Sequence, residues 1–461
     1  MPSSPRWFQF LPALWFATAL WTGGPDAAAE RPAADPVAGQ AAYTQSCARC
    51  HGILGKGDGL DAKRFYPRPR DLTMGVYKFR STASGTPPTD EDLFQAITHG
   101  LPGSHMPDWQ HLDEATRWHL VDYLKSLSPV FEHTLPAPVT LGPDPGPKHD
   151  LAKGKALYAQ LGCAACHGAS GRANGTSAAG LVDDWGMPIR PANLALGWNY
   201  RGGPAPRDIA MRLTAGIDGA GMPSYAEAIS PEDAWQLAYY VASLQEPPQW
   251  RQILHALRVT GELPSSADDA RWAAAERADV PVSNVVTPDG EWARPPTVRM
   301  VLLQAVHNDR ALSVRLTWDD PTEDRANPGD AVALLLKPVG AVGDVVTLQA
   351  WPYKDSPSLN ICRWSADRPT ISVEGIDNTW DLENVELRGG SDHVSQARYE
   401  DGRWTLVMQR PLRINDQFTE ISEERLNAVA VAVWDGGNPE ARAVSAWIDL
   451  SLRDSKKKLV H

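Results

Sequence analysis

The sequence predicts a multidomain protein in which two similar all-α domains precede an all-β sandwich domain. Its 461 residues exceed what one compact domain usually holds. A Cys-x-x-Cys-His motif occurs twice, and the residues that follow each copy match at a constant offset. Beyond about residue 250 the helical pattern gives way to short β-branched segments separated by Gly, Asp, Asn and Pro.

The first segment, residues 1–29, has the features of an export signal. Arg6 supplies a basic residue, "FQFLPALWFATALW" an apolar stretch of 14 residues, and Ala27–Ala29 a small-residue cleavage site. The stretch is short for a membrane span, and no later segment reaches 18 apolar residues. We therefore expect cleavage near Ala29 and a periplasmic mature chain without a transmembrane span; an uncleaved anchor is the alternative.

The composition excludes one class of partner. The chain has 44 basic and 56 acidic residues and a net charge of -12, which argues against non-specific binding to nucleic acid. A protein or a small molecule is the expected partner.

The two motifs, "QSCARCHG" (45–52) and "LGCAACHG" (161–168), fit three kinds of site when taken alone. A zinc site usually needs two such pairs close in sequence, and here the pairs are 116 residues apart. A redox dithiol expects a thioredoxin-like βαβ context, which the pattern lacks. Cys-x-x-Cys-His is also the attachment signature of c-type haem, in which both thiols form thioethers and the histidine is the proximal ligand. We therefore expect two covalent c haems, held by the following residues: Cys47, Cys50 and His51, and Cys163, Cys166 and His167.

The sixth iron ligand is expected from a Met-Pro loop. Met106 follows His51 by 55 residues, and Met222 follows His167 by the same distance. Met/His ligation fills both axial positions and suits electron transfer rather than oxygen chemistry.

Other side chains near the first loop are less consistent with the repeat. His99 and His105 correspond to Ala215 and Gly221 in the second copy, so neither has a matching ligand. Two further methionines also follow their motifs, Met74 and Met187. The matched pair Met106 and Met222 is therefore the predicted choice.

Each copy also has the same predicted helices. A helix enters the cysteines, a second is capped by Thr89 with Asp92 three residues later, and a last amphipathic helix covers 112–127 or 230–245. Pro231 stands in the first turn of the final helix, where its missing N–H is tolerated.

Arginines in each copy are candidates to pair with haem propionates, because a guanidinium binds a carboxylate through two hydrogen bonds. The candidates are Arg68, Arg70, Arg80, Arg190 and Arg201. Arg80 and Arg201 are the two assigned to the cofactor.

With these motifs in place, residues 37–130 and 150–246 resemble the class I cytochrome c family. The resemblance rests on Cys-x-x-Cys-His, the stretches "PRPRDL" and "IRPANL", the Met-Pro loop and the aromatic final helix. It implies a small all-α fold around each haem, with one haem edge exposed. The expected domains are residues 30–132 and 150–247, joined by a stiff Pro-rich linker over 133–149.

The remaining part, 248–461, predicts a β-sandwich or barrel from segments such as "ALSVRLTWDD" and "NAVAVAVWDG". It contains no GxGxxG, P-loop, nucleophile elbow or HExxH motif. The unpaired Cys362 is expected to be a buried apolar residue.

Motifs between 270 and 455 resemble the haem-binding γ subunit of ethylbenzene dehydrogenase and related molybdoenzymes of the dimethyl sulfoxide reductase class. They are "VRLTWDDPTED" with "GDAVALLLKP", and "RWTLVMQRPL" with "VAVAVWDGGNPEARAVSAW". The resemblance implies a molybdenum-containing catalytic subunit and an iron–sulfur subunit as partners. It also implies one b-type haem held by a Met and a Lys.

The chain departs from that pattern at both b-haem ligands. Residues 331–364, where the Met is expected, contain none, and Arg442 stands where the Lys is expected. Arginine stays protonated and is a poor ligand. We therefore expect this domain to have lost haem b and to serve in docking. The remaining candidate ligands are Met300, Met408, His307 and Lys354.

The leading hypothesis is a periplasmic dihaem c-type cytochrome that is not itself an enzyme. It would carry single electrons between a molybdoenzyme-type complex, or other soluble or membrane redox proteins, and a respiratory chain. Two alternatives remain: a ligand-binding or redox-sensing β domain with cytochrome reporters, and a dihaem peroxidase-like enzyme with one open haem.

Overall fold

A computed structural model describes residues 31–65, 67–284, 297–326, 328–337, 359–368, 371–377, 388–414 and 419–453. The export signal predicted over 1–29 and the candidate ligand Lys354 lie outside these residues. The segment "DVVTLQAWPY" (344–353), for which the β-branched pattern predicts a further strand, also lies outside them. Within them, no helix combines the length and the apolar character needed to cross a bilayer.

The first repeat folds into five helices. They are α1 (Pro36–Ser46), α2 (Ala48–His51), α3 (Asp90–His99), α4 (Glu114–Ser126) and α5 (Val130–His133). The predicted capping box is confirmed at α3: the Thr89 hydroxyl accepts from Asp92 N at 3.1 Å, and the Asp92 carboxylate accepts from Thr89 N at 2.9 Å. These two bonds satisfy backbone donors that would otherwise lack partners at the start of the helix.

The second repeat has the corresponding four helices. They are α6 (Leu151–Gln160), α7 (Ala164–His167), α8 (Pro206–Ala215) and α9 (Pro231–Ser243). Pro231 occupies the first turn of α9, as predicted, and Ser230 caps that helix by accepting from Asp233 N at 3.1 Å. The linker runs along both repeats: Val139 N donates to Ser81 O at 2.9 Å, and Trp235 Nε1 donates to Leu141 O at 2.9 Å.

In each repeat the first helix crosses the last helix at a glycine. A Cβ atom on Gly39 of α1 would lie 1.9 Å from His119 O of α4, and one on Gly154 of α6 would lie 2.3 Å from Gln236 O of α9. Only glycine permits so close an approach of the two helix backbones. This crossing brings the cysteine turn, which follows the first helix, against the last helix.

The C-terminal region is rich in strands, as predicted. The strands are β1 (Ile253–His255), β2 (Leu257–Arg258), β3 (Arg277–Asn284), β4 (Met300–His307), β5 (Ala311–Asp319), β6 (Ala331–Leu336), β7 (Leu359–Ser365), β8 (Ile371–Asp377), β9 (Arg388–Glu400), β10 (Arg403–Pro411), β11 (Asn427–Asp435), β12 (Asn438–Ser445) and β13 (Ile448–Ser451). They form one mixed sheet in the order β1-β13-β11-β12-β3-β4-β5-β10-β9-β8-β7-β6, with β2 beside β4 and a further pairing of β11 with β6. Two pairings are parallel, β1 with β13 and β2 with β4.

The core of this region is packed with aromatic and aliphatic side chains. Trp318, Trp364 and Trp404 are fully buried, and their ring centroids lie 5.2 to 6.2 Å apart. Cys362 is buried, as predicted, and its Sγ lies 3.4 Å from Met408 Sδ. Met408, one of the remaining b-haem candidates, is therefore a packing residue of this core.

Ion pairs and hydrogen bonds join the second repeat to its neighbours. Arg80 Nη2 of the first repeat lies 2.7 Å from Asp218 Oδ2 of the second. On the other side, Arg172 lies 3.3 Å from Asp319 of β5, and Glu246 lies 3.1 Å from Arg403 of β10. The second repeat is thus held between the first repeat and the sheet.

Candidate haem sites

The cysteine turns of the two repeats have the same backbone geometry. In the first, His51 N donates to Cys47 O at 2.9 Å, and Gly52 ends the turn with a φ of 81°. In the second, His167 N donates to Cys163 O at 2.9 Å, and Gly168 has the same φ. A positive φ suits glycine and lets the chain reverse directly after each histidine. The motif therefore folds into one defined turn in both places.

A tyrosine from the preceding helix fixes each turn. The hydroxyl of Tyr43 donates to Gly52 O at 2.8 Å, and the hydroxyl of Tyr158 donates to Gly168 O at 2.7 Å. Both tyrosines are buried in the helical cores. The position of each turn relative to its domain is thus set by a buried hydrogen bond as well as by chain connectivity.

Each motif histidine is oriented through its Nδ1 atom. His51 Nδ1 lies 3.1 Å from Arg70 O, and His167 Nδ1 lies 2.9 Å from Ala192 O. A carbonyl accepts only, so Nδ1 carries the proton and Nε2 keeps a free lone pair for a metal. Burial lowers the pKa of both imidazoles below the ordinary histidine range, although the backbone bond acts in the opposite direction. Both rings are therefore neutral near pH 7, as ligation requires.

The cysteines have the character expected of haem attachment rather than of a redox dithiol. The four motif cysteines are free and half-buried, and burial raises the pKa of the Cys47 thiol to about 12. A reactive dithiol needs a lowered pKa. Among the described residues, the one group of His, Cys, Asp and Glu side chains with metal-ligand spacing contains no cysteine, which also disfavours zinc.

A cavity of about 1120 Å³ lies over the second turn. Cys163, Cys166 and His167 line it together with Met222. The apolar residues and the cationic side chains around it suit a flat apolar macrocycle with carboxylate substituents. The residues present therefore fit a c-type haem.

The Met-Pro loops of the repeats are also equivalent. Leu101 N donates to Met106 O, and Ile217 N donates to Met222 O, both at 3.0 Å. Both methionines are half-buried. Met187 lines the same cavity as Met222. The structure thus brings together His167 and the predicted ligand Met222, and adds Met187 as a rival.

Two alternative ligands of the first repeat are exposed. His105 is exposed, and its ring stacks on Phe65 with centroids 4.6 Å apart. Met74 is 57% exposed. Of these candidates, Met106 is the one whose equivalent position in the second repeat, Met222, is also a methionine.

Arg80, one of the two arginines assigned to the cofactor, lies between the repeats. Its side chain is fully buried, and it donates to Tyr77 O and Ala215 O while pairing with Asp218. These contacts join the two repeats, and Arg80 Nε is buried without a hydrogen-bond partner among the described residues. Its role at a propionate stays a prediction. Arg201, the other assigned arginine, does line the second cavity.

Sequence reasoning missed Arg212 of α8. This side chain lines the second cavity, and its Nη2 donates to Arg80 O at 2.8 Å. Its Nε and Nη1 are buried without a hydrogen-bond partner among the described residues. Two orphaned donors in a cavity fit an anionic group of a bound cofactor. The repeat gives no signal for this residue, because the equivalent position of the first copy is Ala96.

The walls of the second cavity come from all three parts of the chain. Phe65 and Lys78 reach it from the first repeat, and Thr297, Arg299 and Arg442 from the C-terminal region. The exposed haem edge expected for each domain is therefore covered by neighbouring domains at the second site.

Comparison with known families supports the helical half. Residues 34–124 match the family model of the cytochrome c oxidase, cbb3-type, subunit III, and residues 151–245 match the cytochrome c family model. The chain contains two cytochrome c domains. Such domains imply covalently bound haem c.

Curated relatives resemble part of the chain. It is 27% identical over 195 residues to the respiratory nitrate reductase haem subunit ORF7 of Haloferax mediterranei. The matched region covers 40% of this chain and 67% of that protein. It is also 27% identical over 215 residues to the cbb3-type cytochrome c oxidase subunit FixP of Azorhizobium caulinodans, which is 45% of this chain. The chain spans 58% of the length of that second relative.

A solved structure is similar as well. A chain of the reducing HAO-like protein complex of Kuenenia stuttgartiensis shares 42% sequence identity, over 46% of this chain and 96% of that one, with a TM-score of 0.44. One named relative is a haem subunit of a respiratory nitrate reductase, and the other is a subunit of a cbb3-type cytochrome c oxidase. Electron transfer is the activity that the two cytochrome c domains support.

Proposed function

We propose that the protein is an exported electron-transfer subunit with two c-type haems, each ligated by a histidine and a methionine. The observation that carries the proposal is the repeated site: two identical cysteine turns, each with a carbonyl-bound histidine and a matching Met loop. Haem bound at such a site supplies one-electron redox chemistry. Cys47, Cys50 and His51 would hold the first group, with Met106 opposite.

At the second site the chain supplies a complete set of contacts. Cys163, Cys166 and His167 would hold the macrocycle, Met222 the second axial position, and Arg212 a propionate. With a side chain at each axial position, neither site would leave room for a substrate at the metal. The proposed role is therefore electron transfer without substrate chemistry.

The two sites differ in how a partner can reach them. Directly after the first motif, Ile53 is 74% exposed and Leu54 is 63% exposed, and Leu60 nearby is 83% exposed. The second cavity is walled by the first domain and by the sheet. We infer that a redox protein docks beside the first cysteine turn and covers the exposed side chains of Ile53, Leu54 and Leu60, since exposed apolar surface marks interaction sites.

The C-terminal region would connect the cytochromes to a larger complex. Its motifs resemble the γ subunit of molybdoenzymes, and its ion pairs hold it against the second cytochrome c domain. We propose a molybdenum-containing subunit with its iron–sulfur subunit as the partner, and a respiratory chain as the other end of the path.

The function is tested on the purified full-length holoprotein. We expect rapid one-electron reduction by a small redox protein and no turnover of hydrogen peroxide. Catalytic peroxide reduction would instead support the peroxidase-like alternative.

The docking surface is tested with Ile53→Asp and Leu54→Asp. A charge in the apolar patch should slow reduction by the redox protein about tenfold, since each 1.4 kcal/mol of binding is worth that factor. Leu135→Asp is the matched control, because Leu135 is 86% exposed in the linker. Equal rates in all three variants would exclude this surface.

A further inference from the structure

Four aspartates gather in the C-terminal region, away from the cysteine turns. Asp320, Asp324 and Asp330 lie in the connection from β5 to β6, and Asp435 is the last residue of β11. One carboxylate oxygen from each of Asp324, Asp330 and Asp435 lies within 4.8 Å of the others. Asp320, Asp330 and Asp435 are buried, and Asp324 is half-buried. The negative charge of several carboxyl groups buried together needs to be compensated.

Asp330 accepts three hydrogen bonds from N–H groups. Its Oδ1 accepts from Gly436 N at 2.9 Å, and its Oδ2 accepts from Asp324 N at 2.9 Å and Trp404 Nε1 at 3.0 Å. These donors fix the position of both Asp330 oxygens and favour a carboxylate there.

Two other oxygens of the cluster have no donor. Asp435 Oδ1 and Asp320 Oδ2 are buried and lack a hydrogen-bond partner among the described residues, and their side chains are 1% and 0% exposed. The other oxygen of Asp435 accepts from Thr297 Oγ1 at 3.1 Å. A buried carboxylate oxygen without a partner is costly unless a proton or a cation meets it.

Among the described residues, an arginine of the second cytochrome c domain lies near the cluster. Arg190 Nη2 is 3.9 Å from Asp435 Oδ2, and the Arg190 side chain is 46% exposed. Because solvent screens so long and exposed an ion pair, Arg190 compensates the buried carboxyl groups only weakly.

We propose that Asp324, Asp330 and Asp435 bind a calcium ion, with the free oxygen of Asp320 beside them. Calcium takes oxygen ligands at about 2.3–2.6 Å, so two ligands on opposite sides are about 4.6–5.2 Å apart. The three oxygens of the cluster lie within 4.8 Å of one another, so no pair is farther apart than one calcium ion can bridge. The cluster contains no histidine or cysteine, so it lacks the ligands that softer transition metals prefer.

The site has a structural consequence for the second haem cavity. Thr297, which donates to Asp435, and Gly437, which follows β11, both line that cavity. A cation that joins the β5–β6 connection to the end of β11 would therefore stabilise one wall of the cavity. This inference concerns the β region and does not depend on the proposed electron transfer.

The test uses full-length holoprotein stripped with a chelator. Calorimetric titration with calcium chloride should show one ion per chain, and calcium should raise the melting temperature of the β region. Asp324→Asn and Asp435→Asn should each weaken binding by at least about tenfold. Asp268→Asn is the matched control, because this carboxylate is exposed and pairs with Arg398 at 3.1 Å.

Two results would overturn the proposal. No heat of binding, or unchanged binding in Asp324→Asn, would exclude calcium at these residues. A melting temperature that rises in Asp435→Asn and ignores calcium would show that the carboxyl groups share protons instead. Asp324 is half-buried at the rim, so its variant keeps the test valid if the buried Asp435→Asn fails to fold.

Discussion

Asp319 joins the second cytochrome c domain to the sheet, and replacing its charge should loosen that junction. Its Oδ1 accepts from Arg403 Nε at 2.6 Å and lies 3.3 Å from Arg172 Nε. Its Oδ2 accepts from Asn193 Nδ2 at 2.8 Å. The variant Asp319→Asn keeps the size of the side chain but turns one acceptor into a donor, which then faces another donor.

The magnitude follows from these contacts. A hydrogen bond to a charged group contributes about 1.5–3 kcal/mol. Asp319→Asn weakens the two hydrogen bonds that the carboxylate accepts, from Arg403 and from Asn193. The Asp319 side chain is 8% exposed, so solvent screens the pairs little, but Glu246 remains as a second counter-charge for both arginines. We therefore expect a loss of about 3 kcal/mol in the free energy of unfolding, roughly a hundredfold in the equilibrium constant.

The assay is urea unfolding of the holoprotein, followed through the absorption of the haem in the second domain. Asp268→Asn serves as control, because its exposed pair with Arg398 should contribute less than about 1 kcal/mol. If Asp319→Asn cost no more than the control, the ion pairs would not hold the two domains together and the reasoning would be refuted.

Three further predictions concern the second domain and its junction. Met222→Ala should give its haem a high-spin spectrum while Met187→Ala leaves the spectrum unchanged; the reverse would assign the ligand to Met187. Gly154→Ala should cost about 2 kcal/mol in urea unfolding, since its methyl would meet a backbone carbonyl at 2.3 Å, whereas the exposed Lys155→Ala should change stability by less than about 0.5 kcal/mol. Burial raises the pKa of Glu246, but two guanidinium groups lower it more, so its stabilisation is full above the ordinary glutamate pKa and is lost as pH falls through the lowered value. Glu246→Gln should therefore flatten the acid side of the melting-temperature profile, and an unchanged profile would contradict this.

The parts of the fold that the sequence predicted are those where chemistry fixes the spacing. Two thiols and an imidazole must face one porphyrin, so the motif and its Met loop recur at the same distance in both repeats. Helix ends were predictable for a similar reason, since Thr89 accepts from a backbone N–H three residues away and Pro231 stands in a first turn, where its missing N–H is tolerated. Strand positions followed from the alternating pattern around Trp318 and Trp404.

What the sequence could not predict depends on contacts between distant residues. The ion pair of Arg80 with Asp218 of the other repeat could not be predicted, because no local pattern connects the two residues. The enclosure of the second cavity by Phe65 and Arg299 has the same origin. The aspartate cluster was also missed, because Asp330 and Asp435 meet only when β6 pairs with β11.

Near-infrared magnetic circular dichroism of the oxidised full-length holoprotein can establish the ligation of both haems, because methionine-ligated ferric haem has its own sulfur-to-iron charge-transfer band. We expect two such low-spin centres per chain, one for each Cys-x-x-Cys-His turn. A single methionine-ligated centre, or a high-spin or bis-histidine signature at either site, would contradict this expectation.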